Sequence, residues 1–278
     1  MDKSRITAAI WPWGTDTREQ MEEAAKAVTS IGYTQFESVK AAIYAYDLDL
    51  TAYREVLNRY NLKPVSFYFH LPRYGEEAGI FENFERELDF VANLGVKIIC
   101  LQATSMHPGE GLMTKEMKQY ELDLVGKFAE FTKKFGIRSN LHPHHNTWCM
   151  YEDEIDNLLQ NLPNDTLSFA PDTAHLVAGK CDPIAVIRKY ANRVNFTHLK
   201  DIRELTVQST GFANAGMEVY SNFCELGTGI VDYDEVFQIL NDVGYDGPLC
   251  EELDTAPISN EISARNNYEF LSRMCEKY

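Results

Sequence analysis

Short apolar runs alternate with amphipathic stretches along the whole chain. Runs such as VSFYFH and VKIICLQ have the length and composition of strands that are buried on both faces. The strands predicted in this way lie at approximately 5–10, 33–37, 64–69, 96–101, 137–141, 166–171, 193–198 and 247–252. Between them apolar residues recur at helical spacing, and the first such stripe begins with Thr17 and Gln20, the residue types of a capping box.

Glycine separates a helical stretch from the next strand at four places, namely Gly32, Gly95, Gly136 and Gly244. Because glycine accepts the left-handed conformation that ends helices, each one marks a turn from helix into strand. The repeated unit predicts a parallel (β/α)8 barrel, a TIM barrel, as a single α/β domain over residues 1–278. An open doubly wound sheet is the alternative, but the first strand–helix turn, WPWGTDT, lacks a glycine-rich phosphate loop.

One irregular stretch, at about 202–230, contains several glycines and is long for a connection in such a barrel. Connections that carry function concentrate on the face formed by the carboxyl ends of the strands. We therefore expect a long loop over the active-site face.

Composition narrows the classes of partner. The net charge of −16 argues against nucleic acid, since phosphate binding needs a cationic surface, and favours a small, weakly charged ligand in a pocket. No apolar run is long enough to span a membrane, and MDKSRITAAIWPWG does not resemble a signal peptide, so a cytoplasmic protein is expected. The 6 cysteines are scattered without a CxxC pair and are expected to be reduced and structural. Whether the chain forms a homo-oligomer is left open.

Polar side chains follow most of the predicted strands, where a barrel of this kind keeps its chemistry. They are Glu37, His70, Gln102, His142, Asp172, His198 and Glu252. A single polar residue at a strand end can be explained without a function, because strands become polar where they meet solvent. This explanation suits His70 and Gln102 best. They do not explain two histidines and two carboxylates on the last four strands. We predict that His142, Asp172, His198 and Glu252 bind one divalent metal ion, and this donor set suits Mn²⁺ or Co²⁺, with Zn²⁺, Fe²⁺ and Mg²⁺ as further candidates.

Further candidate residues surround this set. Alternation along a strand places His144 on the side of His142 and Lys200 on the side of His198. His175 is expected to support the metal site or to contact the substrate. Trp11 and Trp13 follow the first strand and either stack on the apolar face of a ring or pack near the barrel mouth.

Five motifs resemble the xylose isomerase-like barrel superfamily, and within it most of all the myo-inosose (2-keto-myo-inositol) dehydratases. They are LHPHHNT (141–147), PDTAHL (171–176), THLKDIR (197–203), GTGIVDY (227–233) and GYDGPLCEELD (244–254), and the resemblance covers roughly 120–256. It implies that the four predicted ligands correspond to the metal ligands of the superfamily. It also implies that His144 and Lys200 lie beside the substrate.

Two departures from the superfamily pattern affect the interpretation. Many sugar epimerases of the superfamily have a glutamate where this chain has His142, and they use it with the last-strand glutamate as an acid/base pair. The histidine-rich HxH at this strand is similar to that of the inosose dehydratases and favours a lyase. In PLCEEL, a second acid, Glu251, precedes the expected ligand Glu252, so the choice between the two is open.

The resemblance implies a metal-dependent dehydratase of carbohydrate metabolism, and specifically of inositol catabolism, that acts on a keto-polyol such as inosose through a metal-stabilised enediolate. We expect Lys200, with a pKa lowered by the nearby metal, to act as the base or to clamp the enediolate, and His144 to act as the acid. Glu37 is expected to contact substrate hydroxyls or to share the acid/base work. His175, Trp11, Trp13, His70 and Gln102 complete the candidate substrate-binding set.

Other functions remain open at this stage. A sugar isomerase or epimerase acting on a ketose would share the metal and omit the loss of water. A lyase for 3-keto-glycosides would use the same enediolate chemistry. A nuclease of the endonuclease IV type is opposed by the negative charge, and a binding subunit without turnover would still keep the metal site.

Overall fold

Each predicted strand overlaps a strand of the folded chain, although several are shorter than predicted. The computed structural model describes residues 1–109, 112–204 and 218–278. The strands are β1 (Ile6–Ala9), β2 (Gln35–Val39), β3 (Lys63–His70), β4 (Ile98–Gln102), β5 (Arg138–His142), β6 (Leu167–Phe169), β7 (His198–Leu199), β8 (Asp201–Ile202), β9 (Phe223–Cys224) and β10 (Leu249–Glu251). The helices are α1 (Arg18–Ile31), α2 (Ala41–Ala45), α3 (Leu50–Tyr60), α4 (Ile80–Asn93), α5 (Lys115–Lys133), α6 (Glu152–Asn161), α7 (Thr173–Ala178), α8 (Pro183–Lys189), α9 (Tyr233–Asp242) and α10 (Asn260–Lys277).

The main sheet is parallel and closes into a barrel. Its 8 strands follow the order β6-β5-β4-β3-β2-β1-β10-β7. Two parallel bridges, Phe169 to Val194 and Asp172 to His198, join the first strand of this order to the last. The backbone N–H of His198 also donates to the carbonyl of Pro171 at 2.9 Å. The predicted fold class, a (β/α)8 barrel rather than an open sheet, is confirmed.

The helices begin and end where the local sequence predicts. Thr17 and Gln20 form a capping box at the start of α1. The glycines that were expected to end helices all have positive φ: 126° at Gly32, 86° at Gly95, 68° at Gly136 and 67° at Gly244. Among the described residues, no helix combines the length and the apolar composition that a bilayer crossing requires.

Small and polar side chains fill the inside of the barrel, whereas the larger apolar core lies between the strands and the helices. The interior apolar cluster consists of Ala9, Tyr68, Cys100, Ala170, Phe196 and Cys250. All six cysteines are buried and none is paired with another in this fold. Because the interior cluster is small, space remains above it for buried polar groups near the carboxyl ends of the strands.

The stretch at about 202–230 is more structured than the single loop predicted from its glycines. β8 and β9 form an antiparallel pair, with Ile202 opposite Phe223, and residues 218–222 are helical. Residues 205–217, the centre of the predicted loop, lie outside the described residues. Tyr220 borders the cavity at the carboxyl ends of the strands, so the described part of this stretch does reach the expected face.

Candidate metal and substrate site

The four predicted metal ligands lie together at the carboxyl ends of β5, β6, β7 and β10. The Nδ1 atom of His198 lies 3.0 Å from Nδ1 of His142 and 2.9 Å from Oε2 of Glu252. Asp172, His198 and Glu252 each offer a ligand atom within 4.8 Å of the others. Asp172 is held by its own helix, because its Oδ1 accepts the backbone N–H of His175 at 2.7 Å at the start of α7.

These donors fit a divalent cation. His142 Nε2 is buried without a hydrogen-bond partner, and an unpaired buried polar atom is costly. Asp172 Oδ2 and Glu252 Oε2 are buried beside it, and each contacts a cationic side chain, Lys200 at 3.3 Å and His198 at 2.9 Å, respectively. Burial lowers the pKa of His142 well below its usual range, so its imidazole is neutral, the form that binds metals. Burial raises the pKa of Asp172 to about 7, which a cation beside the carboxylate would reverse.

Lys200 is surrounded by carboxylates. Its Nζ lies 2.6 Å from Oε1 of Glu252, 2.8 Å from Oδ2 of Asp254 and 3.3 Å from Oδ2 of Asp172. Burial alone lowers the pKa of Lys200, but the three carboxylates raise it well above its usual range. The expectation of a lowered pKa considered the metal and not these acids, which favour the charged ammonium form when no metal is bound. Lys200 is a buried ammonium group and not a free base.

His144 has a fixed tautomer. Its Nδ1 lies 2.7 Å from the backbone carbonyl of His145, which can only accept a hydrogen bond, so Nδ1 carries the proton. Nε2 is left as an acceptor and lies 3.5 Å from the hydroxyl of Tyr220. Desolvation, followed by the charge of Lys200, lowers the pKa of His144 to about 3, so the ring is neutral near pH 7. In this tautomer Nε2 presents a lone pair, which suits a base; the expected role of His144 as the acid would need a proton on Nε2.

Glu37 lies below the metal site and does not border the cavity. Its carboxylate is fully buried and hydrogen-bonds to Nε2 of His198 and to the hydroxyl of Ser66, the latter at 2.6 Å. The expectation that Glu37 contacts substrate hydroxyls is therefore wrong. The strand was predicted to end at Glu37, whereas β2 continues to Val39, so Glu37 lies two residues before the strand end and Val39 borders the cavity instead.

A cavity of about 580 Å³ opens next to the predicted ligands. It is lined by Trp11, Val39, Tyr68, His70, Gln102, Ser105, Met106, His144, His145, Asn146, Thr147, Tyr220, Glu252 and Asp254. On one wall the Tyr68 hydroxyl donates to Gln102 Oε1 at 2.9 Å, and Gln102 Nε2 donates to the Ser105 hydroxyl at 2.9 Å. The predicted contacts Trp11, His70 and Gln102 thus border the space that a ligand would occupy.

Two predicted substrate contacts lie elsewhere. Trp13 borders a separate small cavity near α10 and packs against the apolar core, which agrees with the alternative packing interpretation. His175 is buried behind His144, with ring centroids 3.8 Å apart, and its Nδ1 accepts the backbone N–H of His145 at 3.3 Å. His175 lies behind the wall of the cavity and does not form part of its surface, so both positions agree with the supporting roles that were the alternatives to direct substrate contact.

The structure separates the two acids of the last strand. Glu251 points to the helical layer, where its Oε2 accepts a hydrogen bond from Asn267 at 2.7 Å. Burial raises the pKa of Glu251 to about 8. Glu252 points to the interior and contacts Lys200 and His198. Alternation along the strand therefore assigns the inward position to Glu252.

Sequence reasoning missed several residues of the cavity wall. Tyr68 could have been found, because it shares a strand side with His70. Ser105, Asn146 and Tyr220 lie in connections without a period that reveals which way they point.

Comparison with known proteins identifies the family. The family model described as xylose isomerase-like TIM barrel matches residues 25–274, so the chain belongs to this family. An inosose dehydratase from Clostridium beijerinckii is 25% identical over 282 residues, which cover 92% of this chain and 92% of that protein.

Solved structures agree with the fold at lower sequence identity. An L-ribulose 3-epimerase has a TM-score of 0.78 and 16% identity, with 98% of this chain and 95% of that chain covered. The IolI protein, solved with a zinc atom, has a TM-score of 0.76 and 15% identity, with 99% of each chain covered. At these identities the structural similarity supports the fold alone.

Proposed function

We propose that the protein is a metal-dependent dehydratase that removes water from a keto-polyol such as inosose. The observation that carries the proposal is the convergence of His142, Asp172, His198 and Glu252 beside a cavity that also presents a neutral His144. The inosose dehydratase from Clostridium beijerinckii, which aligns with 92% of this chain, supports the choice of reaction.

The four converging residues would hold the metal ion. When bound there, a divalent ion would supply the Lewis acidity that stabilises negative charge on the carbonyl side of the substrate. The protein contributes fixed donors in a water-poor site, which strengthens their effect on developing charge.

His144 Nε2 is the proposed base. The His145 carbonyl holds the proton on Nδ1, so Nε2 presents a lone pair at the cavity wall. It takes the proton from the carbon next to the carbonyl group, and the electron pair of that C–H bond forms the enediolate. A neutral imidazole held in one tautomer needs no reorganisation before this step.

The pair of Lys200 and Asp254 is the proposed acid. Lys200 is fully buried, but Asp254 Oδ2 lies 2.8 Å from its Nζ and borders the cavity. A proton passes from the ammonium group through the Asp254 carboxyl to the departing hydroxyl. The C–O bond breaks as the new C=C bond forms, and water leaves.

The cavity wall suits a polyhydroxylated ring. Trp11, Tyr68 and Tyr220 offer aromatic surfaces for the C–H face of a ring, and the side chains of Gln102 and Ser105 offer hydrogen bonds for its hydroxyls. Because Gln102 already donates to Ser105, the Ser105 hydroxyl proton is free for another acceptor. We infer that this wall binds hydroxyl groups remote from the reacting carbon.

An isomerase or epimerase acting on a keto-sugar is the second candidate. The fold similarity to L-ribulose 3-epimerase favours it. Both reactions begin with the loss of a proton next to a carbonyl, and they differ in whether a hydroxyl then departs. In this chain the end of β5 carries His142 and not a carboxylate, so proton transfer between two opposed carboxylates has no second partner there.

The two candidates are separated by incubating the purified protein with Mn²⁺ and scyllo-inosose in deuterated water. A dehydratase yields a product with new ultraviolet absorbance, whereas an isomerase or epimerase exchanges C–H for C–D without it. The variant His144→Gln should lower the dehydration rate by about 10²- to 10⁴-fold, the usual loss when a general base is removed. His145→Gln, which changes the neighbouring imidazole of the same wall, is the control and should lose much less. Equal losses in both variants would remove His144 from the chemistry.

A further inference from the structure

We infer that Glu37 is a positioning residue that holds His198 in the orientation and tautomer required for metal binding, an inference that rests on the metal site proposed above. Glu37 lies on β2 and His198 on β7, on opposite sides of the barrel interior. The carboxylate Oε2 of Glu37 meets the imidazole at Nε2, while Nδ1 of the same ring faces His142 and Glu252.

The two ring nitrogens of His198 have different partners and different roles. A carboxylate accepts hydrogen bonds, so contact with Glu37 places the proton on Nε2. Nδ1 lies 3.0 Å from His142 Nδ1 and 2.9 Å from Glu252 Oε2. Without a metal, Nδ1 can carry a second proton and donate it to Glu252; a metal ion would displace that proton and take the lone pair of Nδ1, while Glu37 keeps the other proton on Nε2. If Nε2 lost this partner, the ring could adopt the other tautomer and present an N–H group to the ligands.

Glu37 is itself held in place by a second hydrogen bond. Its Oε1 accepts from the Ser66 hydroxyl at 2.6 Å on the neighbouring strand β3, where Glu37 and Ser66 are register partners. Both carboxylate oxygens are thus fixed, and the direction of the bond to His198 is fixed with them.

Burial makes a purely structural role for Glu37 a poor explanation. The residue is 0% exposed, and among the described residues its one ion pair is with His198, with no lysine or arginine in reach. A buried carboxylate is costly unless it is paired, and an apolar residue would fill this part of the barrel at less cost. We therefore infer that the charge of Glu37 acts on the imidazole of His198. It keeps the ring oriented and makes Nδ1 a stronger electron-pair donor to a metal ion. Carboxylates behind metal-binding histidines change metal affinity by about 10- to 100-fold.

The test is the affinity for Mn²⁺, measured by calorimetry on the wild-type protein and on Glu37→Gln. The amide keeps the shape of the side chain and removes the charge; its oxygen can still accept from His198 Nε2, and its NH2 group can donate to the Ser66 hydroxyl. We expect the dissociation constant to rise by about 10- to 100-fold. Cys100→Ala is the matched control, because the Cys100 sulfur lies 3.8 Å from the same Nε2 atom and carries no charge; its dissociation constant should stay at the wild-type value.

A second readout distinguishes positioning from packing. In Zn²⁺-loaded protein the Nε2 proton of His198 should give a strongly downfield imidazole resonance, which moves upfield in Glu37→Gln and stays in place in Cys100→Ala. An unchanged Mn²⁺ affinity together with an unchanged Nε2 resonance in Glu37→Gln would overturn the inference. Equal loss of affinity in Glu37→Gln and Cys100→Ala would also overturn it and assign the effect to packing. If the wild-type protein binds no metal, the proposed metal site itself fails, and the inference fails with it.

Discussion

Glu121 should make the protein less stable as the pH rises from about 4.5 to about 7. The residue lies on α5, is 1% exposed, and its Oε1 accepts the backbone N–H of Thr104 at 2.9 Å, while Oε2 has no partner. Burial, together with the nearby charge of Glu154, raises the pKa of Glu121 from 4.5 to about 7. The contact matters for the site because Thr104 begins the connection that carries Ser105 into the cavity wall.

The sign and the size follow from the two pKa values. The unfolded chain releases this proton near pH 4.5 and the folded chain near pH 7, so between these values the folded state binds more protons. Stability is therefore highest below pH 4.5 as far as this group is concerned, and it falls as the pH rises to about 7. At 1.36 kcal/mol per pH unit the loss amounts to about 3 kcal/mol in the free energy of unfolding.

The variant Glu121→Gln resembles the protonated acid and should lack this dependence. Urea unfolding of both proteins at pH 5 to 9 gives the comparison, and the difference between them should grow in favour of the variant to about 3 kcal/mol above pH 7. Because the two proteins share all their other titrating groups, the difference between their free energies of unfolding reports on Glu121 alone. Parallel pH profiles for the two proteins would refute the reasoning, since they would mean that the buried carboxyl titrates alike in the folded and unfolded states.

Two further predictions concern a loop anchor and the tryptophans. Asp201→Asn should lower the free energy of unfolding in urea by about 3 kcal/mol. Asp201 Oδ2 accepts the backbone N–H groups of both Gly227 and Gly229 at 2.9 Å, and an amide nitrogen cannot accept them. A loss below the error of the method would contradict this prediction. Trp11→Ala should weaken the binding of scyllo-inosose by about fivefold, since stacking contacts are worth about 1 kcal/mol. Trp13→Ala should lower stability and leave ligand affinity unchanged; a loss of affinity in Trp13→Ala alone would contradict this assignment.

The fold was predictable because it depends on patterns that repeat. Apolar runs, helix stripes and the helix-ending glycines such as Gly95 and Gly136 each report on local geometry, and their repetition restricted the topology. The convergence of His142, Asp172, His198 and Glu252 was predictable for the same reason: strand ends of a barrel meet at one face. Alternation further distinguished Glu252 from Glu251.

Depth and direction within the site were not predictable. Glu37 and His70 were both predicted to stand at strand ends, yet β2 continues to Val39, so Glu37 is buried beside His198 whereas His70 ends β3 and borders the cavity. Trp11 and Trp13 belong to a single turn of 3-10 helix, so residues two positions apart point in different directions. The protonation of Lys200 could not be assigned because it depends on carboxylates from three segments that meet only in the folded chain.

The metal content of the purified protein tests the central claim most directly. Elemental analysis after incubation with Mn²⁺ and removal of the excess should find close to one ion per chain, and Asp172→Asn should lose it while remaining folded. Treatment with a strong chelator should then abolish turnover of scyllo-inosose by the wild-type protein, and added Mn²⁺ should restore it. Wild-type protein that is free of metal and fully active, or an Asp172→Asn variant with unchanged metal content, would contradict the account.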